Sequence, residues 1–336
     1  MKVVVLGAGA IGAYVGAALA RGGTEVTLVA RGEHLRALRE RGVRVLSPRG
    51  DFEAHPPATD DWEAVADADA VFLGLKAYSL PEAAPRLGAL LRPGTALVAA
   101  QNGIPWWYFE SHGGPLDGLV LESVDPGGVI ARSLPRGCAV GCVVYCSTEL
   151  VEPGVVRHLE GTRFSLGEPD RSESERCRAL SEAFRAGGLK APVERDLRNE
   201  IWLKLLGNAT FNPVSALTGA TLAQLGSTAE MRATLRAAFG EIAAVAERLG
   251  VTFPVSLDRR LEAGFAVGEH RTSMLQDLER GKPLEHRCLS GAVLELAERV
   301  GVEAPCLATI HACVALLDEL SQNRHEAVAD TVRVSR

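Results

Sequence analysis

The residues best suited to chemistry lie in one stretch, Asn199-Glu200-Ile201-Trp202-Leu203-Lys204-Leu205-Leu206-Gly207-Asn208-Ala209-Thr210-Phe211-Asn212-Pro213, where polar side chains interrupt an apolar run. Lys204, Asn208 and Asn212 recur at i, i+4 and i+8, which predicts one polar stripe on a helix, with Trp202, Leu203, Leu205, Leu206 and Phe211 covering its other sides. A helix this apolar is expected to be buried, and a buried ammonium beside two carboxamides needs hydrogen-bond partners. Oxygen atoms of a bound substrate would supply them. Structural hydrogen bonds, or a narrow solvated face, would serve as well.

A second constellation opens the chain. Val3-Val4-Val5-Leu6 reads as a strand covered on both faces, and it runs directly into Gly7-Ala8-Gly9-Ala10-Ile11-Gly12, the G-x-G-x-x-G spacing of a dinucleotide-binding turn. Each glycine has a steric reason. Gly7 permits the tight turn, Gly9 lets the backbone approach a pyrophosphate, and Gly12 lets the following helix lie against the strand. The free N–H groups at that helix start attract phosphates. In a chain of 35 glycines the pattern alone is weak. Its context is stronger: a small-residue helix over Ala13 to Arg21, a stop at Gly22-Gly23 and a strand over Glu25 to Val29 complete a βαβ unit.

The end of that second strand bears on the choice of dinucleotide. An acidic residue there would hold a ribose 2′-hydroxyl, whereas an arginine nearby accommodates a 2′-phosphate. The chain reads Leu28-Val29-Ala30-Arg31-Gly32, without a carboxylate and with the planar fork of Arg31, so NADP(H) is expected. Lys76 follows the strand Ala70 to Leu75, and Asn102 follows the strand Thr95 to Ala100. Ligands of doubly wound sheets gather at carboxyl ends of strands, so both are candidates to meet cofactor or substrate. An ordinary strand-end lysine and an Asn-Gly turn are the alternatives. The aromatic run Trp106-Trp107-Tyr108-Phe109 either walls a pocket or fastens a loop to the sheet.

Composition narrows the class. The chain has 336 residues, 47% hydrophobic and 23% charged, as in an ordinary folded enzyme and unlike a disordered chain. A net charge of -6 gives no reason to expect nucleic acid or an anionic membrane as partner. No apolar run reaches membrane-spanning length, and the first strand starts immediately after Met1-Lys2, so a cytoplasmic protein is expected. The seven cysteines lack zinc-site spacing. Cys138, Cys142 and Cys146 are expected to line one face of a strand as buried thiols, and no metal is expected.

The remaining pattern predicts an α/β fold: a Rossmann-type dinucleotide-binding domain over 1–195, an all-helical domain over 196–325 and a flexible tail over 326–336. In the first domain, short strands are expected at Val143 to Tyr145, Gly154 to His158 and Arg163 to Leu166, with a last strand near Ala191 to Val193.

The motifs GAGAIG (Gly7 to Gly12), LKAY (Leu75 to Tyr78), QNG (Gln101 to Gly103), IWLKLLGNATFNPVSALTG (Ile201 to Gly219) and SMLQDLERGKPLE (Ser273 to Glu285) span the chain. In them it resembles the ketopantoate reductases (2-dehydropantoate 2-reductases). The resemblance implies NADPH-dependent reduction of a 2-keto acid to a 2-hydroxy acid, with ketopantoate as the leading substrate in pantothenate biosynthesis. It further implies Lys204 as catalytic acid and Asn208, Asn212 and Ser273 as substrate-binding residues. Glu285 would join the network around Lys204 and the cofactor, and Gly7, Ala8, Gly9, Ala10, Ile11, Gly12, Arg31, Lys76 and Asn102 would contact NADP. A homodimer through the helical domain would fit the family. After Glu285, however, the chain has His286, Arg287 and Ser290-Gly291, where the family commonly carries an apolar residue, an acid and later an Asn-Gly pair. These departures could reshape the pocket, which leaves open a reductase of a different 2-keto acid. A non-catalytic NADP(H) sensor is the reading from another class.

Overall fold

The computed structural model describes residues 1–334, with side chains described through His325. The chain forms two units, one of residues 1–101 and 105–200, the other of 102–104 and Ile201 onward. The second unit therefore takes Asn102–Ile104 from the middle of the chain, and the division falls within the helix that carries Lys204, not ahead of it.

The first unit is built on β1 (Lys2–Leu6), β2 (Glu25–Val29), β3 (Val43–Leu46), β4 (Phe52–Ala54), β5 (Ala58–Thr59), β6 (Ala70–Leu73), β7 (Ala96–Ala99), β8 (Ala139–Glu152) and β9 (Val155–Gly167), in the sheet order β4-β3-β9-β8-β7-β6-β1-β2-β5. Among the described residues only β3–β4 and β8–β9 pair antiparallel. Helices α1 (Ala10–Arg21), α2 (Gly32–Arg41), α3 (Leu80–Leu90), α4 (Val129–Ser133) and α5 (Glu175–Ala186) complete it. The valine-rich β1 is buried on both faces. Val3 and Val5 pack with Ala17, Leu19 and Phe184 of α1 and α5, while Val4 and Leu6 pack with Leu80, Ala84 and Leu87 of α3. This is the Rossmann-type arrangement the pattern predicts, with the carboxyl ends of β1, β6 and β7 aligned by parallel pairing.

The strands expected over 143–166 do extend the sheet as a hairpin, formed by two long strands, β8 and β9, bent by register shifts between Tyr145 and Ser147 and between Leu150 and Glu152. Local expectations failed in two places. Ala191 to Val193 forms no strand, only the isolated bridges Arg163↔Lys190 and Leu166↔Val193, because Pro192 has no N–H to extend a ladder. Cys142 and Cys146 share one core face, but Cys138 precedes β8 and packs in the opposite layer.

The second unit contains α6 (Leu197–Asn208, from Ile201), α7 (Phe211–Thr218), α8 (Leu222–Leu225), α9 (Ala229–Arg248), α10 (Leu257–Phe265), α11 (Ser273–Glu279), a π-turn (Arg287–Gly291), α12 (Ala292–Val300) and α13 (Pro305–Val334). Phe211 anchors it, with ring centroids 5.3 Å from Phe239 and 5.6 Å from Phe265. The tail expected over 326–336 lies outside the residues whose side chains are described.

Candidate active site

In the first unit the glycine turn is held by steric necessity. Gly7 has φ +95°, and a Cβ on Gly12 would lie 2.2 Å from the Gly7 carbonyl oxygen. Gly74, directly after β6, belongs to the same contact, since its Cβ would also fall 2.2 Å from that oxygen. Its importance had no signal beyond its place before Leu75. Gly9 differs: a Cβ there would meet nothing within 4 Å. The turn is thus packed tight below and open at Gly9, while helix geometry leaves the N–H groups of the first turn of α1 without intrahelical partners. These are the features a pyrophosphate requires.

Arg31 is the N-cap residue of α2, exposed, with no hydrogen bond or ion pair to another described side chain. Lys76 is half-buried three residues beyond β6, at the start of a 3₁₀ turn over Ala77–Ser79. Gln101 ties two strand ends together by donating from Nε2 to the Leu73 and Leu75 carbonyls at 3.0 and 3.2 Å, and its Oε1 is buried without a partner. The aromatic loop fastens to the sheet. Trp107, Tyr108 and Phe109 are buried, and Gly141 makes room for Trp107, whose ring would lie 2.4 Å from a Cβ there. Arg198 secures the same loop through the Tyr108 and Glu110 carbonyls, both at 2.9 Å.

In the second unit the polar stripe is broken. Lys204 and Asn208 share a face of α6, but Asn212 stands on α7, after a break at Ala209-Thr210. Pro213 explains it. In a continuous helix its ring would clash with the Ala209 carbonyl and leave it without a donor, whereas the restart places Pro213 in the first turn of α7. Thr210 Oγ1 donates to the Leu206 carbonyl at 2.6 Å, satisfying the severed end.

The central contact is Lys204 Nζ donating to Asn102 Oδ1 at 2.7 Å. Asn102 thus lies against the lysine, which its sequence position as a strand-end residue did not reveal. Its segment is gripped by the π-turn. Ile104 N–H donates to the Cys288 carbonyl at 3.0 Å, and the Cys288 thiol donates to the Asn102 carbonyl at 3.5 Å. Gly103 has φ +87° and would place a Cβ 2.2 Å from the Cys288 oxygen, so no other residue fits. Glu285 is buried just before this turn, and its carbonyl accepts from the Cys288 thiol at 3.3 Å. Ser273 is exposed at the start of α11. Cys288 was missed because a cysteine acting through its backbone carbonyl leaves no motif.

The departures after Glu285 turn out to be connected to one another through α13. His286 Nε2 lies 3.4 Å from Asp318 Oδ2, and Ser290 Oγ is hydrogen-bonded to His311 Nδ1 at 2.8 Å. Asp318 Oδ1 also accepts from the Leu284 N–H at 3.1 Å. Burial lowers the pKa of His286 and His311 and raises that of Asp318. His286 and Ser290 therefore tie the π-turn to α13. Ser290→Ala is expected to cost about 1 kcal/mol of stability in urea unfolding by leaving His311 underbonded, with keto-acid KM unchanged; a several-fold change in KM with stability intact would place Ser290 in the pocket.

A glycine turn of dinucleotide-binding spacing on a doubly wound sheet, in a chain that also holds a half-buried lysine against a carboxamide, fits a nicotinamide-dependent oxidoreductase. The comparisons narrow this class. Residues 3–171 match the family model "Ketopantoate reductase PanE/ApbA", and residues 196–318 match its C-terminal counterpart. The 2-dehydropantoate 2-reductase of Mesorhizobium japonicum is 46% identical over 96% of this chain and 99% of its own. The crystal structure of a PanE/ApbA family ketopantoate reductase from Ralstonia eutropha JMP134 is 28% identical, with TM-score 0.83, covering 96% of this chain and 100% of that one. The chain belongs to the ketopantoate reductase family, whose members reduce ketopantoate to pantoate. A D-mandelate dehydrogenase solved with NADH and anilino(oxo)acetate shares the fold at TM-score 0.80 and 21% identity, covering 96% of this chain and 99% of that one.

Proposed function

We propose that this protein reduces 2-dehydropantoate to pantoate with NADPH. The observation that carries the reading is the Lys204–Asn102 hydrogen bond of 2.7 Å on a half-buried helix face, within a chain 46% identical to a 2-dehydropantoate 2-reductase. Gly7 to Gly12 would hold the pyrophosphate, Arg31 the 2′-phosphate, and Lys76 and Asn102 would make further cofactor contacts. When bound, the cofactor supplies a hydride to the keto carbon.

The rest of the step falls to side chains of the second unit. Lys204 directs its ammonium at the keto oxygen, stabilises the negative charge that develops there, and donates the proton that completes the hydroxyl group. Asn102 accepts one N–H of that ammonium and so restricts where the others point. Asn208 and Asn212 bind substrate oxygens, Ser273 binds the carboxylate, and Glu285 supports the network around Lys204. His286 and Ser290 are engaged with α13, which favours ketopantoate over a keto acid selected by a remodelled pocket.

The test is NADPH oxidation followed by absorbance with ketopantoate, 2-ketoisovalerate and pyruvate, repeated with NADH. Preferred turnover of ketopantoate with NADPH is expected. Preference for another acid would overturn the substrate, and tight NADPH binding without turnover of any acid would identify a sensor. Arg31→Ala is expected to weaken NADPH by about tenfold or more and NADH little, since a guanidinium–phosphate contact is lost; equal losses would remove the 2′-phosphate role. The reading includes a homodimer, tested by light scattering, and a cytoplasmic location, tested by fractionation. Among the described residues no helix is long and apolar enough to cross a membrane.

A further inference from the structure

We infer that His34 is a positioning residue for the cofactor turn, acting as a latch on the Ala8–Gly9 peptide. It rests on the NADP(H) reading above. His34 lies on α2 and is held between two backbone groups of other elements. Its Nε2 is 2.7 Å from the Ala8 carbonyl oxygen, and its Nδ1 accepts the Gly154 N–H at 3.1 Å. With Nδ1 occupied as acceptor, the neutral ring carries its proton on Nε2 and donates it to Ala8.

The consequence follows from peptide geometry. A trans peptide points its C=O and the following N–H in opposite directions. Holding the Ala8 carbonyl towards His34 therefore aims the Gly9 N–H the other way, and Gly9 is the residue with nothing within 4 Å of a Cβ position. A turn with glycine on both sides of Ala8 has little intrinsic resistance to a peptide flip, and a flip would present a carbonyl oxygen where a pyrophosphate needs a donor. His34 opposes it. The far side of the latch is itself rigid. The Gly154 carbonyl accepts from Arg44 N–H at 2.9 Å, Arg41 donates to the Pro153 carbonyl at 3.2 Å, and Gly154 takes φ +83° in the turn between β8 and β9.

Protonation works against this arrangement. An imidazolium has no acceptor at Nδ1 and would turn an N–H against the Gly154 N–H. Burial lowers the His34 pKa, opposed by the Ala8 carbonyl, which raises it. The charged side chains on the elements packed around it are Glu33, Arg36, Arg39, Glu40 and Arg41 on α2 with Arg31 at its N-cap, Arg21 at the far end of α1, Arg44 on β3, and Glu149, Glu152, Arg157, Glu160 and Arg163 on the hairpin, all exposed except the half-buried Glu149 and Arg163. With the folded pKa below the ordinary value, the neutral, latched form is complete above about pH 6.5 and is lost as pH falls through the lowered value.

The experiment is nucleotide binding to the full-length protein by titration of NADPH and of NADH. His34→Ala is expected to weaken both by about tenfold and equally, because the latch acts at the pyrophosphate they share, unlike Arg31→Ala. His34→Gln, which can still donate to Ala8, is expected to recover most of the affinity. As pH falls from about 8 through the lowered His34 pKa, the wild type is expected to lose more affinity than His34→Gln, whose comparison cancels titration of the 2′-phosphate. Superimposed pH profiles, a wild-type affinity that rises relative to His34→Gln on acidification, or an unchanged Kd in His34→Ala would overturn the latch while leaving the cofactor reading intact. If His34→Ala does not fold, the wild-type and His34→Gln profiles decide. Failure of the wild type to bind either nucleotide at about pH 8 would defeat the cofactor reading and the latch together.

Discussion

Lys204→Ala is expected to lower kcat by roughly 10²-fold or more while NADPH still binds, because under the proposed mechanism the variant loses both the proton donor and the positive charge facing the developing alkoxide. Steady-state kinetics with ketopantoate, together with a separate NADPH titration, would measure the two effects apart. The ammonium is held at one end by Asn102 Oδ1, 2.7 Å away, so its direction depends on a carboxamide from the 102–104 segment. Asn102→Ala should therefore retain a proton donor in a less restricted position and show a smaller loss in kcat than Lys204→Ala. A near-normal kcat in Lys204→Ala would reject the general-acid role, whatever the fate of Asn102.

Gly12→Ala is expected to weaken NADPH and NADH alike by about 30-fold or more, since the added methyl would sit 2.2 Å from the Gly7 carbonyl oxygen and the backbone must separate to admit it. The neighbour is backbone, and Gly74 presses on the same oxygen from β6, so the strain has no flexible side chain to absorb it. Gly9→Ala provides the contrast. Its Cβ meets no protein atom within 4 Å, so thermal stability should stay near wild type while nucleotide binding falls. Equal loss of stability in both variants would show that Gly9 serves packing and not the cofactor. Calorimetry of the apo proteins beside nucleotide titrations separates these outcomes.

Periodicity and glycine chemistry sufficed for the first βαβ unit. β2 was legible as Glu25–Val29 because a buried parallel strand bounded by glycines has few alternative readings, and the tight Gly7 and Gly12 contacts follow from the same spacing. The helical character of the chain beyond Leu197 was equally legible from apolar spacing, and so was Lys204 as a lysine on an apolar helix. Spacing failed at Asn212, because a repeat of four assumes an unbroken helix and Pro213 forces a restart.

The amino-acid sequence by itself determined much of the local conformation: the first βαβ unit, the helical character beyond Leu197, where glycine is the only residue that fits a turn, and which family the motifs belong to. Tertiary structure alone decided the partnerships. Asn102 and Lys204 are 102 residues apart, His34 and Gly154 are 120 apart, and Ser290 meets His311 across 21 residues. Each depends on a single donor meeting a single acceptor, and a pair that meets only through chain crossovers leaves no periodic trace in either segment. Hydrophobic patterning repeats along the chain because a whole face is buried at once, whereas a hydrogen bond between distant residues is specified only when the packed elements bring the two atoms within about 3 Å.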